Sequence, residues 1–392
     1  MTFALTDEQL EIRDAVARLC QRFDDAYWLR HDSEDGGFPH EFHQAMAEGG
    51  WLGVAMPEEF GGSGLGITEA AIVMQAVAQS GAGFSGASAV HMNIFGLHPV
   101  VVFGTREQQQ RWLPPLIAGK EKACFAVTEP DVGLDTTHIK TRAVREGNGY
   151  VITGRKIWTS TAQVTEKMLI LTRTTAFEDS PRPSAGMTLF YTDLDRSAVE
   201  VREIPKMGRH AVDSNMLFID GLKVPLEDRI GEEGKGFQYI LHGMNPERIL
   251  IAAEAVGLGR AALARAARYA GERIVFGRPI GQNQGIQHPL AERWIELEAA
   301  ELLVLRAAAA YDRHDDANLV GAYANAAKYY AGEAGARACE TAMLTHGGMG
   351  YAKEFHVERY FREAQIARIA PVMAQLILSH IGERVLGLPK SY

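Results

Sequence analysis

Ala126-Val127-Thr128-Glu129-Pro130, followed by Gly133 and Asp135, is a short strand-like run halted at a proline turn, and the chain changes texture around it. On its C-terminal side lie further strand-like runs: Tyr150-Val151-Ile152-Thr153, Met168-Leu169-Ile170-Leu171 and Met187-Thr188-Leu189-Phe190-Tyr191. Turn signals at Gly147-Asn148-Gly149 and Ser180-Pro181-Arg182-Pro183 separate them. No long helical pattern intervenes, so an antiparallel β domain of roughly 100 residues is expected. On the N-terminal side the pattern is helical. Thr6 with Gln9 makes a capping box, and Ile12, Val16, Leu19 and Phe23 recur at helical spacing. A glycine-rich loop at 61–66 interrupts the helices, a second helical stretch starts near Thr68, and Pro114-Pro115 is expected to close the region. After Gly234-Lys235-Gly236, Ala-rich helical segments run over about 247–272, 290–313 and 319–344. There Leu290, Trp294 and Leu297, then Val304, Ala308 and Tyr311, predict closely packed bundle faces. The expected fold is therefore α+β: an N-terminal α-helical domain (1–120), a central antiparallel β domain (121–228) and a C-terminal four-helix-bundle-like domain (229–392).

Composition sets the outer bounds. With 46% apolar and 23% charged residues in a chain of 392, a large core can be buried. The 49 acidic against 40 basic residues leave a net charge of -9, and no Lys/Arg-rich run offers a face for nucleic acid. Cys20, Cys124 and Cys339 are far apart and form no Cys-x-x-Cys pair, which excludes a disulfide framework and fits a reducing compartment. No apolar run reaches about 18 residues, so no membrane span is expected. The start at Thr6-Asp7-Glu8-Gln9 resembles neither a signal nor a transit peptide. The expected location is cytoplasmic.

The common enzyme signatures fail. Gly62 and Gly64 lack the third glycine of a dinucleotide fingerprint, Gly119-Lys120 is followed by Glu121 rather than Ser or Thr, and no Gly-x-Ser-x-Gly elbow occurs. His40-Glu41-Phe42-His43 is one residue short of a zincin motif and is read as surface polar residues, so no metal is expected.

Four stretches in order carry a specific match: Ala126–Pro130 with Gly133 and Asp135; Gly154-Arg155-Lys156-Ile157-Trp158-Thr159-Ser160; Arg273-Ile274-Val275-Phe276-Gly277 with Gln284; and His346-Gly347-Gly348-Met349-Gly350-Tyr351. Together they resemble the acyl-CoA dehydrogenase family over essentially the whole chain. The resemblance implies FAD as cofactor, with Phe125, Val127 and Thr128 along the isoalloxazine ring and Trp158 and Ser160 covering its other side. It implies that Arg273, Phe276 and Gln284 reach a neighbouring subunit's FAD. Gly347 and Gly348 would let the backbone approach the pyrophosphate, and Met373 and Gln375 would add flavin contacts. A homotetramer and an electron-transfer flavoprotein as electron acceptor are likewise implied.

The implied reaction is α,β-dehydrogenation of an acyl-CoA thioester to the 2-enoyl-CoA: a carboxylate removes the α-proton while the β-hydrogen leaves as hydride to flavin N5. Most members carry the base in Ile-Tyr-Glu-Gly-Thr; here the matching Ile369-Ala370-Pro371-Val372-Met373, with Arg362 upstream, has proline at the glutamate position. Isovaleryl- and long-chain-type members put the base on an earlier helix before an arginine, which here is Glu247 before Arg248. Read from the residues alone, Asn245 is an N-cap, Pro246 the first helical residue and Glu247 a first-turn acid. Leu134, Arg248, Ala370 and Pro371 fall at acyl-CoA-contacting positions. Leu134 replaces a serine of the family pattern, and Leu344 replaces the glutamine before the glycine pair. Small residues at 370 and 371 predict tolerance of branched or ring-bearing acyl groups. Because Pro371 has no N–H, the Val372 N–H is expected to replace it as donor to the thioester oxygen. Two alternatives keep the fold: non-oxidative acyl-CoA elimination or desulfination, and a non-catalytic acyl-CoA or flavin-binding subunit.

Overall fold

The computed structural model describes residues 4–33 and 35–391. The N-terminal region is helical: α1 (Asp7–Cys20), α2 (Asp25–His31), α3 (His40–Glu48), α4 (Ile67–Val77), α5 (Gly83–Phe95), α6 (His98–Phe103) and α7 (Arg106–Ile117). The capping box at Thr6 and Gln9 forms, and α1 buries Ile12, Val16 and Cys20. Pro114 and Pro115 lie inside α7 instead of ending it; each removes one i→i−4 bond close to the helix terminus, where the loss is small. His43 is buried against Asn93 (Nε2 to Oδ1 3.2 Å) and is not the surface residue expected. It sits on the inner face of α3 with Phe42 and Met46.

Strands β1 (Ala123–Ala126), β2 (Arg142–Glu146), β3 (Gly149–Ser160), β4 (Lys167–Arg173), β5 (Met187–Asp193), β6 (Val199–Glu203), β7 (Ser214–Pro225) and β8 (Arg229–Ile230) make one sheet in the order β6-β7-β3-β2-β4-β5-β8, with β1 also on β4. Pairing is antiparallel except that β1 runs parallel to β4 and Arg142 of β2 pairs parallel with Arg173. The antiparallel β domain expected from the sequence therefore carries two parallel pairings. Every residue of β4 is buried, so its backbone needs partners on both edges. β5 takes one edge, and β1 and β2 share the other.

Three long helices follow: α8 (Gly236–Glu272), α9 (Gln284–Asp312) and α10 (Ala317–His346), with a small hairpin of β9 (Ile274–Val275) and β10 (Arg278–Pro279) before α9. Their alanines let backbones approach. A Cβ at Gly335 of α10 would stand 2.5 Å from the Ala255 carbonyl of α8, so only glycine fits this crossing. Leu297, Val304 and Ala308 are buried as the α9 spacing predicts, but Trp294 is 57% exposed and points away from the bundle. The chain closes with α11 (Val357–Ala364), α12 (Ile366–Ile369) and α13 (Ala374–His380).

The stretches Ile67–Phe103 and Val357–Val385 are, by length and composition, apolar enough to cross a membrane although neither is an unbroken apolar run. The first is mostly buried within the protein and breaks at Gly81 and Gly83, both at positive φ. That break is held by α11. Arg359 Nη2 donates to the Gly81 carbonyl at 2.6 Å, and Glu363 accepts from Phe84 N–H at 2.7 Å and Ser85 Oγ at 2.6 Å. The network fixes the direction in which α5 enters the domain junction.

Candidate active site

One wall of the site is built by the segment after β1 and by the end of β3. Phe125 and Val127 lie two apart and half-exposed on one face, while Cys124 and Ala126 are buried on the other. The segment is tied to β3 by Ile157 N–H to the Thr128 carbonyl (2.9 Å) and by Lys156 Nζ to the Val127 carbonyl (3.0 Å) and Glu129 Oε1 (2.9 Å). Thr128 and Trp158 therefore stand side by side. Trp158 is held at φ 59° with its indole 57% exposed, which excludes a core aromatic. Beside it, Thr159 Oγ1 is buried without a hydrogen-bond partner among the described residues. An exposed aromatic face, half-buried apolar side chains and a spare hydroxyl suit a flat ring with a polar edge, so this wall fits an isoalloxazine.

The candidate base lies on α8. Pro246 does not begin a helix: α8 starts at Gly236, so Glu247 is in its interior and the macrodipole at a helix start does not act on it. The expectation of an Asn245 cap is corrected; Asn245 Oδ1 instead accepts from Arg248 Nη1 at 3.0 Å. Glu247 keeps some accessible surface, yet protein surrounds it closely. It makes no hydrogen bond or ion pair among the described residues. Burial raises its carboxyl above the usual carboxylate range; His91 and Arg248 oppose the rise, and Glu254 adds to it. Glu254 lies seven residues on, on the same face of α8, and pairs with His91 of α5 (Oε1 to Nδ1 2.7 Å). Burial alone would lower the imidazole, but Glu254 outweighs it and raises His91.

Pro371 carries no acid toward this junction. It lies between α12 and α13 with Ala370, Val372 and Met373, and Gln375 follows in α13. Lys328 Nζ reaches into that loop and donates to the Val372 carbonyl at 2.5 Å. Glu363, the other acid near the C-terminal stretch, is committed to Arg359 (3.1 Å) and to α5. Leu134 is 51% exposed at φ 67° on the loop beyond Glu129.

The remaining predicted residues stand apart from Glu247. Arg273, exposed Phe276 and Gln284 lie at the far end of α8, roughly 40 Å along the helix. Gly347, the C-cap of α10 at φ 60°, and Gly348 are bare: a Cβ added at either would meet nothing within 4 Å, so the backbone surface is open. Such bare backbone is suited to close approach by a phosphate. Sequence reasoning missed Ser88, His91, Glu254 and Arg209. The signal for two of them was available: His91 is the one titratable residue of α5, and Glu254 is i+7 from Glu247. Nothing local marks Arg209.

Comparison with known proteins agrees with this geometry. Three family models match in chain order: acyl-CoA dehydrogenase N-terminal domain over residues 6–120, middle domain over 124–222 and C-terminal domain over 234–386. The chain is 35% identical to acyl-CoA dehydrogenase FadE12 of Mycobacterium tuberculosis, covering 100% of this chain and 99% of that protein. It is 34% identical to the caffeyl-CoA reductase–Etf complex subunit CarC of Acetobacterium woodii over 86% of this chain and 87% of that protein. Butyryl-CoA dehydrogenase from Megasphaera elsdenii superimposes with a TM-score of 0.92 at 27% identity, covering 98% of this chain and 100% of that one. The chain belongs to the acyl-CoA dehydrogenase family. It is accordingly an FAD-dependent oxidoreductase that dehydrogenates acyl-CoA thioesters.

Proposed function

We propose that Glu247 is the base that removes the α-proton of the bound acyl-CoA, which assigns the chain to the subgroup with its catalytic glutamate on the earlier helix. One observation carries this reading: a carboxylate at the domain junction that has no partner and is raised by burial. A base for a weak carbon acid has to be desolvated and uncommitted, and Pro371 can serve as neither base nor proton acceptor. FAD, when bound, supplies the hydride acceptor. Around it, Phe125, Val127, Thr128, Trp158 and Ser160 would form the ring's slot, with Met373 and Gln375 beside it. Arg248, Ala370, Pro371 and Leu134 would border the thioester.

The assembly we propose is a homotetramer in which Arg273, Phe276 and Gln284 of one subunit meet the FAD of the next, over Gly347 and Gly348. Exposed apolar side chains support it: Phe276 is fully exposed, and Trp294, Ile295 and Leu344 are each more than half exposed. An electron-transfer flavoprotein is the proposed acceptor, a reading supported by the Etf-linked relative in A. woodii. Free buried thiols at Cys20, Cys124 and Cys339 suit a cytoplasmic setting.

Anaerobic titration with a panel of acyl-CoAs tests the assignment. Wild-type protein should lose its flavin absorbance, and Glu247→Gln should bind FAD and acyl-CoA but reduce flavin about a thousandfold more slowly. A near-full rate in Glu247→Gln would overturn the base assignment. Turnover without flavin reduction would point to elimination, and binding with neither would point to a scaffold.

A further inference from the structure

Gly243, Glu247 and Glu254 lie within about 40° of one another around α8, because each residue turns a helix by about 100°. α5 packs on that face at two points. A Cβ at Gly243 would stand 3.1 Å from Phe95 Cζ, and Glu254 Oε1 lies 2.7 Å from His91 Nδ1. Phe95 is one helical turn beyond His91, so the two helices run antiparallel and the stretch 91–95 covers the stretch 243–254. Glu247 falls between the two contacts, on the covered face. Its sequence neighbour Arg248 leaves α8 about 100° away and is bonded to Asn245 at 3.0 Å. Among the described residues, His91 is therefore the cationic group that α5 turns toward this stretch of α8.

His91 is enclosed. It is 7% exposed, its Nδ1 is engaged by Glu254, and its Nε2 is buried with no partner among the described residues. An imidazole so placed would be neutral on its own, but Glu254 outweighs burial. Glu247 acts in the same sense on Glu247's side of the pair only through its own charge: the groups acting on it are His91, Arg248 and Glu254, while Arg209, bonded to Ser88 one turn before His91, opposes the imidazolium. A buried ion pair is a poor source of stability, because desolvation of both charges cancels most of their attraction. Beside a base it has a use. Enclosure strengthens a carboxylate as a base but also favours its protonated form, which accepts no proton. A fixed cation nearby offsets that second effect.

We infer that His91 is a positioning residue for the reaction: held by Glu254, its imidazolium faces Glu247 and keeps that carboxylate ionised within its enclosed site. The inference rests on the reading of Glu247 as the base and adds the pair that maintains it in working form.

Infrared difference titration of the FAD-loaded enzyme tests this without turnover. The carboxylic-acid C=O band that Glu247→Gln abolishes reports the pH at which Glu247 is half protonated. His91→Asn keeps a donor for Glu254 but removes the charge, and should raise that midpoint by about one pH unit or more, a tenfold change in proton affinity. Glu254→Gln should leave the midpoint within a few tenths of wild type, because the anion and the imidazolium it sustains vanish together. An unmoved or lowered midpoint in His91→Asn overturns the inference. So does a fall of about one unit in Glu254→Gln, which would show Glu254 acting on the base without His91; this arm decides if His91→Asn does not fold. Near-full flavin reduction by acyl-CoA in Glu247→Gln defeats the base reading, and this inference with it. An unmoved midpoint in His91→Asn with that reduction lost in Glu247→Gln defeats this inference alone.

Discussion

Lys156 and Glu129 form an ion pair in the interior, Nζ to Oε1 2.9 Å, with both side chains all but sealed from water. The pair locks the segment carrying Val127 and Thr128 onto the strand carrying Trp158 and Ser160, so it sets the width of the proposed flavin slot. Glu129 Oε1 and Oε2 also accept from Thr141 N–H (2.9 Å) and Lys140 N–H (2.7 Å), which stops the carboxylate from swinging away. Removing one member strands the other. Lys156→Met should lower stability by about 3–5 kcal/mol and release FAD, as measured by thermal melting and flavin content after gel filtration. The double variant Lys156→Met/Glu129→Gln should recover part of the stability. If the double variant is less stable than the single one by a full additive increment, the two groups are not acting as a pair.

Asp32 joins all three parts of the chain. It lies just after α2, accepts from Arg362 of α11 (Nη2 to Oδ2 2.5 Å) and faces His210 of the β6–β7 loop (Oδ1 to Nδ1 3.2 Å). Burial would raise this carboxyl, but the bonds from His210 and Arg362 outweigh it and lower it to about 2. Its folded value is thus below its ordinary 3.8. The stabilisation is therefore complete above about pH 4 and is lost as pH falls toward 2, about 2 kcal/mol in all. His210 is raised, chiefly by Asp32, so its share is present below pH 6.5 and declines as pH rises through its folded value. Asp32→Asn should flatten the acid limb of a stability-versus-pH curve. An acid limb identical to wild type would show that other carboxylates set it.

Glu247 gives a kinetic pH dependence of its own. Its carboxyl is raised above 4.5, and only the carboxylate accepts the α-proton. The rate of flavin reduction should therefore fall as pH drops through a value above 4.5, with a slope of one proton. The Glu247→Gln residual rate should lack that limb. Retention of the limb in the variant would assign it to the substrate or to another group.

The fold was legible where periodicity was strong. The runs at 150–153, 168–171 and 187–191 all lie within strands, and the three Ala-rich segments lie within α8, α9 and α10. What escaped has local causes. Pro246 reads as the first residue of a helix, yet it sits inside α8 because tertiary packing outweighs the one lost hydrogen bond. Trp294 keeps the helical spacing but points outward, because spacing alone does not distinguish a core face from a face left for a partner. The candidate base could be placed by motif. Arg209 could not, because it reaches Ser88 only when α5 and the β6–β7 loop converge, and no spacing in the chain encodes that meeting.

Pro371 raises the last prediction. The thioester oxygen gains negative charge as the α-proton leaves, and loss of one donor to such an oxygen costs about 2.7–4 kcal/mol. Proline offers none. The adjacent Val372 N–H makes no hydrogen bond among the described residues, and its own carbonyl is pinned by Lys328, which is 1% exposed and bonds nothing else among them. Lys328 thus fixes the orientation of Val372, and we expect that orientation to turn the Val372 N–H toward the thioester. Burial, aided by Arg248, lowers the Lys328 amine to about 8, so keeping it protonated costs stability below that pH. Lys328→Met should for that reason leave the melting temperature unchanged or higher. Flavin reduction by acyl-CoA should nevertheless slow by about ten- to a hundredfold, because Val372 is no longer held. Stability and rate then move in opposite directions, which a merely structural lysine would not produce. An unaltered rate in Lys328→Met, or a complex with the Val372 nitrogen beyond about 3.5 Å from the thioester oxygen, would remove Val372 as the donor.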